Sequence, residues 1–261
     1  MTTEASYRNT PPYWKTRIDT ITFLRLARAH YRLSEISNAT EMPPPMICRY
    51  LAGKHLPTPK QATHLRQSLL NLVGLNRHLL DRIEKEVYET GYFDNTQIIT
   101  DPLVLETAVN HAMDLFEKCE ITKVITPAVD GIPLATLLAH RIGVDVIVAK
   151  KEKDRSALTF IEGNYTPKAS GLIISFYVPN TSVHRGDHVL IVDDVIRDEG
   201  PQTALVDIIK QANANIAGIF ALIGIGNEWK TLGAKHKCPA EVIAHLKPVS
   251  KPGSFTGSLP C

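Results

Sequence analysis

The chain has 261 residues, 44% hydrophobic and 21% charged, with a formal net charge of +2. This is globular composition with enough apolar material for a sizeable core, which excludes a disordered or fibrous chain, and the length favours two domains. No apolar run reaches the ~20 residues of a membrane span and the first residues lack a signal-peptide pattern, so a cytoplasmic location without a membrane partner is expected.

The charge is unevenly spread. Between Arg8 and Arg82, twelve Lys/Arg face four Asp/Glu, whereas residues 83–261 carry seventeen against twenty-two. A basic segment beside an acidic one points to a polyanion partner for the first, because phosphate neutralisation releases counterions whatever the base sequence. A solvated helical face explains the same surplus. Cys48, Cys119, Cys238 and Cys261 are scattered, with no CxxC or Cys/His spacing, which supports free thiols and neither a disulfide framework nor a metal site.

In chain order, residues 1–12 are polar and end in Pro11-Pro12, a flexible arm. The run ITFLRLARAHY places Ile21, Leu24, Ala27 and Tyr31 on one helical face, with Arg25 and Arg28 off it. Leu33 to Met42 predicts a second, short helix with Ser34 as its cap. A third starts at Pro44 or Pro45, where a missing N–H costs nothing, and stops at Gly53. Thr58 caps a fourth, from Pro59 through Leu72. The charged helix NRHLLDRIEKEVYE follows. A helical domain over 13–75 and a helical linker over 76–99 result.

After Thr100 apolar strands alternate with helices: LVLETAVNHAMDLFEKC, KVITPA, IPLATLLAHRIG, DVIVAKK, GLIISFYV, HVLIVDDV, QTALVDIIKQAN and IAGIFALIG. Strand and crossover helix in succession imply a parallel sheet covered on both faces, over 100–247. The tail at 248–261 is rich in Pro, Gly and Ser and reads as disordered. Asp193 and Asp194 fall at a strand's carboxyl end, where such sheets bind ligands.

The segment ISNATEMPPPMICRYLAGKHLPTPKQA resembles the helix-turn-helix of transcriptional regulators, most closely over CRYLAGKHLP, Cys48 to Pro57. The resemblance implies double-stranded DNA as partner, with Arg32, Met46, Arg49, Lys54, His55 and Lys60 as candidate contacts. Arg49 suits guanine or phosphate, and Lys54 suits phosphate. Three successive prolines depart from the pattern, because they remove N–H donors and small polar side chains at the helix start.

Further on, TPAVDGIPLATLLAHRIGVDVIVAKK, FIEGNYT and RGDHVLIVDDVIRDEGPQTALVDIIKQANANIAGIFALI resemble the type I phosphoribosyltransferases, above all purine operon repressors and the xanthine and adenine enzymes. The fold expected is therefore a parallel-sheet type I phosphoribosyltransferase-like α/β domain preceded by an all-α helix-turn-helix domain. The resemblance implies that Asp193 and Asp194 grip a ribose, Gly200 and Thr203 belong to the 5'-phosphate loop, and Val129, Asp130 and Gly131 form the pyrophosphate loop. Lys150 and Lys151 would face pyrophosphate, Arg197 would sit at the loop, and Trp229 would stack on a base.

RDEGP breaks the pattern. It places Asp198 and Glu199 where small residues belong, and Pro201 removes an N–H donor. Unit charges ~5 Å apart repel by roughly 3 kcal/mol at an effective dielectric near 20, about a hundredfold in affinity. The leading expectation is a DNA-binding regulator whose second domain is a non-catalytic sensor and dimer scaffold, linked to nucleotide metabolism. Its ligand would be phosphoribosyl pyrophosphate or a nucleotide, and the former implies Mg²⁺. The alternatives are an active phosphoribosyltransferase using Lys150, Lys151, Asp193 and Asp194, and a nucleic-acid-binding assembly protein without ligand.

Overall fold

The computed structural model describes residues 13–74, 79, 83, 95–153, 158–167, 171–248 and 255–258. The expected arm at 1–12 and most of the expected linker at 76–99 lie outside them.

Four helices come first: α1 (Tyr13–His30), α2 (Leu33–Thr40), α3 (Pro44–Leu51) and α4 (Pro59–Val73). Their inner faces meet in one cluster that includes Phe23, Leu24, Ile36, Ile47, Leu65 and Leu69. In α4 the local causes are plain. Thr58 Oγ1 accepts from Gln61 N at 3.3 Å while Gln61 Oε1 accepts from Thr58 N at 2.9 Å. Pro59 opens the first turn, and Leu65, Leu69 and Val73 recur every four residues on the buried face. Ser34 does not cap α2. Arg32 holds that place, because Glu35 reaches back to accept from Arg32 N at 2.6 Å. Three residues separate α2 from α3, and one of them, Glu41, takes a left-handed φ of 53°.

α5 (Thr96–Ile99) and α6 (Pro102–Leu115) lead to β1 (Lys123–Pro127), α7 (Ile132–Ile142) and β2 (Asp145–Ala149). Then come β3 (Phe160–Tyr165), β4 (Ile174–Pro179), β5 (His188–Ile196), α8 (Gly200–Gln211), β6 (Asn215–Ile225), α9 (Glu228–His236), β7 (Ala240–Pro248) and β8 (Phe255–Ser258). The main sheet has the order β2-β1-β5-β6-β7-β8. All its pairs are parallel except β7–β8. One face is covered by α6 and α7, where Ala108, Leu134 and Leu138 meet Leu190, Val192 and Phe220. The other carries α8 and α9, where Leu205, Ile208 and Leu232 meet Ile191 and Ile219.

Three expectations change. GLIISFYV does not join the parallel sheet: β4 pairs antiparallel with β3 in a hairpin of two strands that packs over α8. Strand IAGIFALIG is not the last, since β7 follows it in parallel register from Ile219↔Ala240 to Ile225↔Leu246. The tail expected to be structureless supplies β8, paired with β7 from His245↔Ser258 to Pro248↔Phe255. Edge backbone groups of β7 need hydrogen-bond partners whatever the composition of the segment that provides them.

The helical domain is joined to the α/β domain through a buried cluster of charges. Arg141, at the end of α7, pairs with Glu106 of α6 and with Asp19 of α1, the latter at 3.4 Å. Lys15 Nζ donates to the Arg141 carbonyl at 2.8 Å. Leu103, on the second position of α6, is fully buried within the helical domain's apolar cluster.

Candidate functional site

Strand order reverses between β1 and β5: the chain leaves β1 for β2 on one side and β5 for β6 on the other. The two strands stop pairing after Ile125↔Ile191, whereas β5 remains bonded to β6 as far as Ile196. Strands that part at such a switch point leave a crevice at their carboxyl ends, the usual ligand position in open α/β sheets. A cleft of about 380 Å³ lies there, lined by the end of β1, the start of the α7 loop, β5, the β3–β4 hairpin and Asn95.

Asp193 and Asp194 form its floor, 6% and 8% exposed. Asp193 accepts from Asp194 N at 2.9 Å and from Gln202 Nε2 at 2.7 Å, and Asp194 accepts from the side-chain amide of Asn95. Burial first, and then the charge of Asp194, push the Asp193 carboxyl well above the usual carboxylate range. The two acids are thus tied off by neutral amides, with no cation bonded to either among the described residues. A proton held on Asp193 lowers the cost of packing like charges together.

The loop after β1 approaches this pair closely. A Cβ on Gly131 would stand 2.3 Å from Thr126 Oγ1 and 3.1 Å from Asp193 Oδ1, so glycine alone fits. Asp130 lines the cleft, the Ala128–Val129 peptide is cis, and Val129 is 71% exposed. Of the two lysines after β2, Lys151 lines the cleft. Lys150 instead joins β2 to the hairpin through its backbone, donating to Tyr177 O at 3.1 Å and accepting from Tyr177 N at 2.7 Å.

The start of α8 shows what RDEGP does. Asp198 Oδ1 accepts from Gly200 N at 2.7 Å, so a carboxylate of the loop occupies a backbone donor that opens the helix. Glu199 turns away towards α9, bonded to the Thr231 hydroxyl and paired with Lys235 at 3.4 Å. Pro201 fills a first-turn position without an N–H. Arg197 and Pro201 line the cleft, while Thr203 sits behind them on α8 and does not.

Trp229 is not brought to the cleft. It is 8% exposed and packs in the core between α8, α9 and the sheet. A Cβ at Gly224 would stand 2.6 Å from the indole, so the missing side chain makes the room that draws the ring inward. His245 meets it edge-on at 5.9 Å. The cleft-lining Asn95, Tyr165 and Phe176 went unread in the sequence, as did the fully buried Gln202 that bonds to Asp193. Tyr165 stacks on Phe176 at 5.7 Å, and burial, then Asp198 and Asp193, raise its phenol. FIEGNYT had the tyrosine in view, but a strand pattern does not tell which side faces a cleft.

In the helical domain, Arg32, Arg49, Lys54, His55 and Lys60 are exposed and Met46 is half-buried. Ile47 and Tyr50 fix α3 to the domain, and Arg25 Nη2 donates to Leu51 O at 3.2 Å, holding the helix end. The DNA candidates thus lie around α3 and its flanks, separate from the cleft residues.

The Phosphoribosyl transferase domain profile matches residues 96–251. The chain belongs to the phosphoribosyl transferase domain family. It is 29% identical over 170 residues to the purine biosynthesis transcriptional repressor PurR of Bacillus subtilis, which covers 65% of this chain and 58% of that protein. The xanthine phosphoribosyltransferase of Bacillus cytotoxicus is 30% identical over 146 residues, 53% of this chain and 70% of the enzyme. Among solved structures, adenine phosphoribosyltransferase from Rhodothermus marinus superposes with a TM-score of 0.52 at 24% identity, covering 59% of this chain and 86% of that one. That structural likeness shows the fold. The chain spans less than two thirds of the repressor's length. Among the described residues no helix is long and apolar enough to cross a membrane.

Proposed function

We propose that this phosphoribosyltransferase-like protein is a DNA-binding transcriptional regulator, its second domain a ligand sensor and dimer scaffold that no longer transfers a phosphoribosyl group. Asp198 carries the reading: an acid of the chain holds the Gly200 amide where the family's 5'-phosphate would bind. A phosphate arriving there meets both a filled donor and a like charge. The likeness to a purine repressor supports the regulatory half, as does α2, a three-residue turn and α3 in helix-turn-helix order with Arg49, Lys54 and His55 exposed.

The mechanism is linkage. A ligand that prefers one arrangement of the two domains shifts operator affinity by that preference. Ribose hydroxyls suit Asp193 and Asp194, and Lys151 and Arg197 suit phosphate oxygens at the rim. If the ligand is phosphoribosyl pyrophosphate, Mg²⁺ suits the same two carboxylates, because it keeps waters and takes one or two acids plus phosphate oxygens. Purines and the genes of their metabolism fit best, in a cytoplasmic homodimer on double-stranded DNA.

A second reading, an active enzyme with an appended helical domain, is favoured by the acid pair and by the xanthine phosphoribosyltransferase relatives. One experiment separates them. Purified protein, phosphoribosyl pyrophosphate, Mg²⁺ and a panel of purine and pyrimidine bases are expected to give no nucleotide, and catalytic turnover with any base would sink the sensor reading. In parallel, Arg49→Ala with Lys54→Ala is expected to weaken duplex binding by at least tenfold in fluorescence anisotropy.

A further inference from the structure

Among the described residues that line the cleft, only Asn95 comes from the chain ahead of α6. Its side-chain amide donates to Asp194, the carboxylate that a ribose hydroxyl would use. Its backbone carbonyl accepts from Ile98 N and Ile99 N, both at 2.9 Å. A single residue therefore fastens the acid pair on one side and the only turn of α5 on the other.

From there each joint is made by a named contact. Ile98 and Ile99 are buried in the core beneath the sheet's first face. Asp101 caps α6 by accepting from Leu103 N at 2.8 Å, and Leu103 is buried in the helical domain's cluster. One turn on, Glu106 holds Arg141, which holds Asp19 of α1. Residues 95–106 thus run from the ligand cleft into the helical domain.

An amide N–H and a sugar O–H ask the same of a carboxylate: one accepting oxygen. Asp194 is nearly buried, and Asn95 lines the cleft beside it with its amide on that carboxylate. We propose that Asn95 is an internal stand-in for a ribose hydroxyl. A ligand with a vicinal diol displaces it from Asp194, and its release loosens α5 and reports occupancy to the helical domain along residues 95–106. This rests on the reading of the cleft as a sensor of ribose-type ligands.

The test uses the full chain, ribose 5-phosphate as probe and 2-deoxyribose 5-phosphate as the diol-free control. Calorimetry gives affinity, and hydrogen exchange follows the Ile98 and Ile99 amides. In the wild type, ribose 5-phosphate is expected to speed exchange at both amides about tenfold, and the deoxy sugar to leave them unchanged. Asn95→Ala is expected to bind the probe about five- to tenfold more tightly, since no internal competitor has to leave, and to show fast exchange that ligand no longer alters. Asn95→Ser is measured alongside, with a thermal melt for each variant, so that loss of fold is recognised. Weaker binding by both folded variants would make Asn95 a ligand contact and overturn the proposal, as would protection of Ile98 and Ile99 on binding. Binding that emerges only in the variants supports the stand-in. No binding by any of the three proteins overturns the sensor reading itself and this inference with it.

Discussion

Two clusters of buried charge among the described residues are built on opposite rules. At the domain junction, Arg141 is paired with Glu106 and Asp19, and Lys15 bonds to the same residue's carbonyl, so signs alternate. In the cleft, Asp193 and Asp194 are adjacent acids held by the neutral amides of Gln202 and Asn95. Buried charge is costly unless an opposite charge offsets it. The junction meets that condition within the chain. The cleft does not, and a like-charged pair at the floor of a crevice makes physical sense when its complement arrives from outside. The contrast separates a structural staple from a candidate binding site without appeal to any relative.

Breaking the balanced group is the largest expected effect. Arg141→Ala leaves Glu106 buried with no cation, and unfolding stability is expected to fall by about 3–5 kcal/mol in urea titration. Glu106 already sits above the usual carboxylate range because burial outweighs the guanidinium. A loss under about 1 kcal/mol would show that the junction is not the staple described.

Breaking the unbalanced group works the other way. The Asp193 carboxyl titrates well above its ordinary value in the folded state, for burial and then for the charge of Asp194. Between the ordinary value and the raised one, the folded chain holds a proton that the unfolded chain has lost. Stability therefore falls as pH rises from about 4 towards the raised value, and is level beyond it. Asp193→Asn removes the titration, and its amide can still bond to Gln202 once that side chain turns over. At pH 8 the variant is expected to be about 1–3 kcal/mol more stable than the wild type, the scale of a relieved buried polar group, and near pH 4 equal to it. Paired melts at the two pH values decide the matter. A variant destabilised at pH 8 would mean that the acid pair serves packing.

Asp198 sharpens the same contrast, because it adds a further negative charge at the start of α8. Asp198→Asn keeps the bond to Gly200 N and removes only the charge. Affinity for ribose 5-phosphate is expected to rise about tenfold by calorimetry. No change would show that the loop acid does not oppose the phosphate.

Most of the architecture could be read from local pattern. Alternating apolar runs, amphipathic helices and the cap Thr58 are signals carried within a few residues of each other. The acid pair was legible for the same reason, as two carboxylates at the end of an apolar strand. Most of what escaped depends on distance along the chain. Asn95 meets Asp194 across ninety-nine residues, and Arg141 meets Asp19 across the domain junction. The resemblance alone assigns Trp229 to a base, and the room left at Gly224, five residues earlier, receives its ring instead, a short-range signal that an apolar strand pattern does not display. β4 had the apolar run of a parallel strand, yet its pairing was decided by β3 and by the face of α8 beneath the hairpin.

The smallest expected effect isolates burial from pairing. Arg66 crosses the same junction to Asp114 with two hydrogen bonds, at 2.9 and 3.2 Å, a better geometry than Arg141 makes to Asp19. Its partner's side chain is half exposed. Water already solvates both ends of an exposed pair, so little is gained when they meet and little is stranded when one is removed. Arg66→Ala is expected to cost under about 1 kcal/mol, and less still in 0.5 M salt, where screening shortens the reach of the charge. Urea titrations of Arg66→Ala and Arg141→Ala in the same buffer make the comparison direct. Equal losses would mean that pairing across the junction matters and burial does not, and the contrast between the two charge groups would then fail at its first premise.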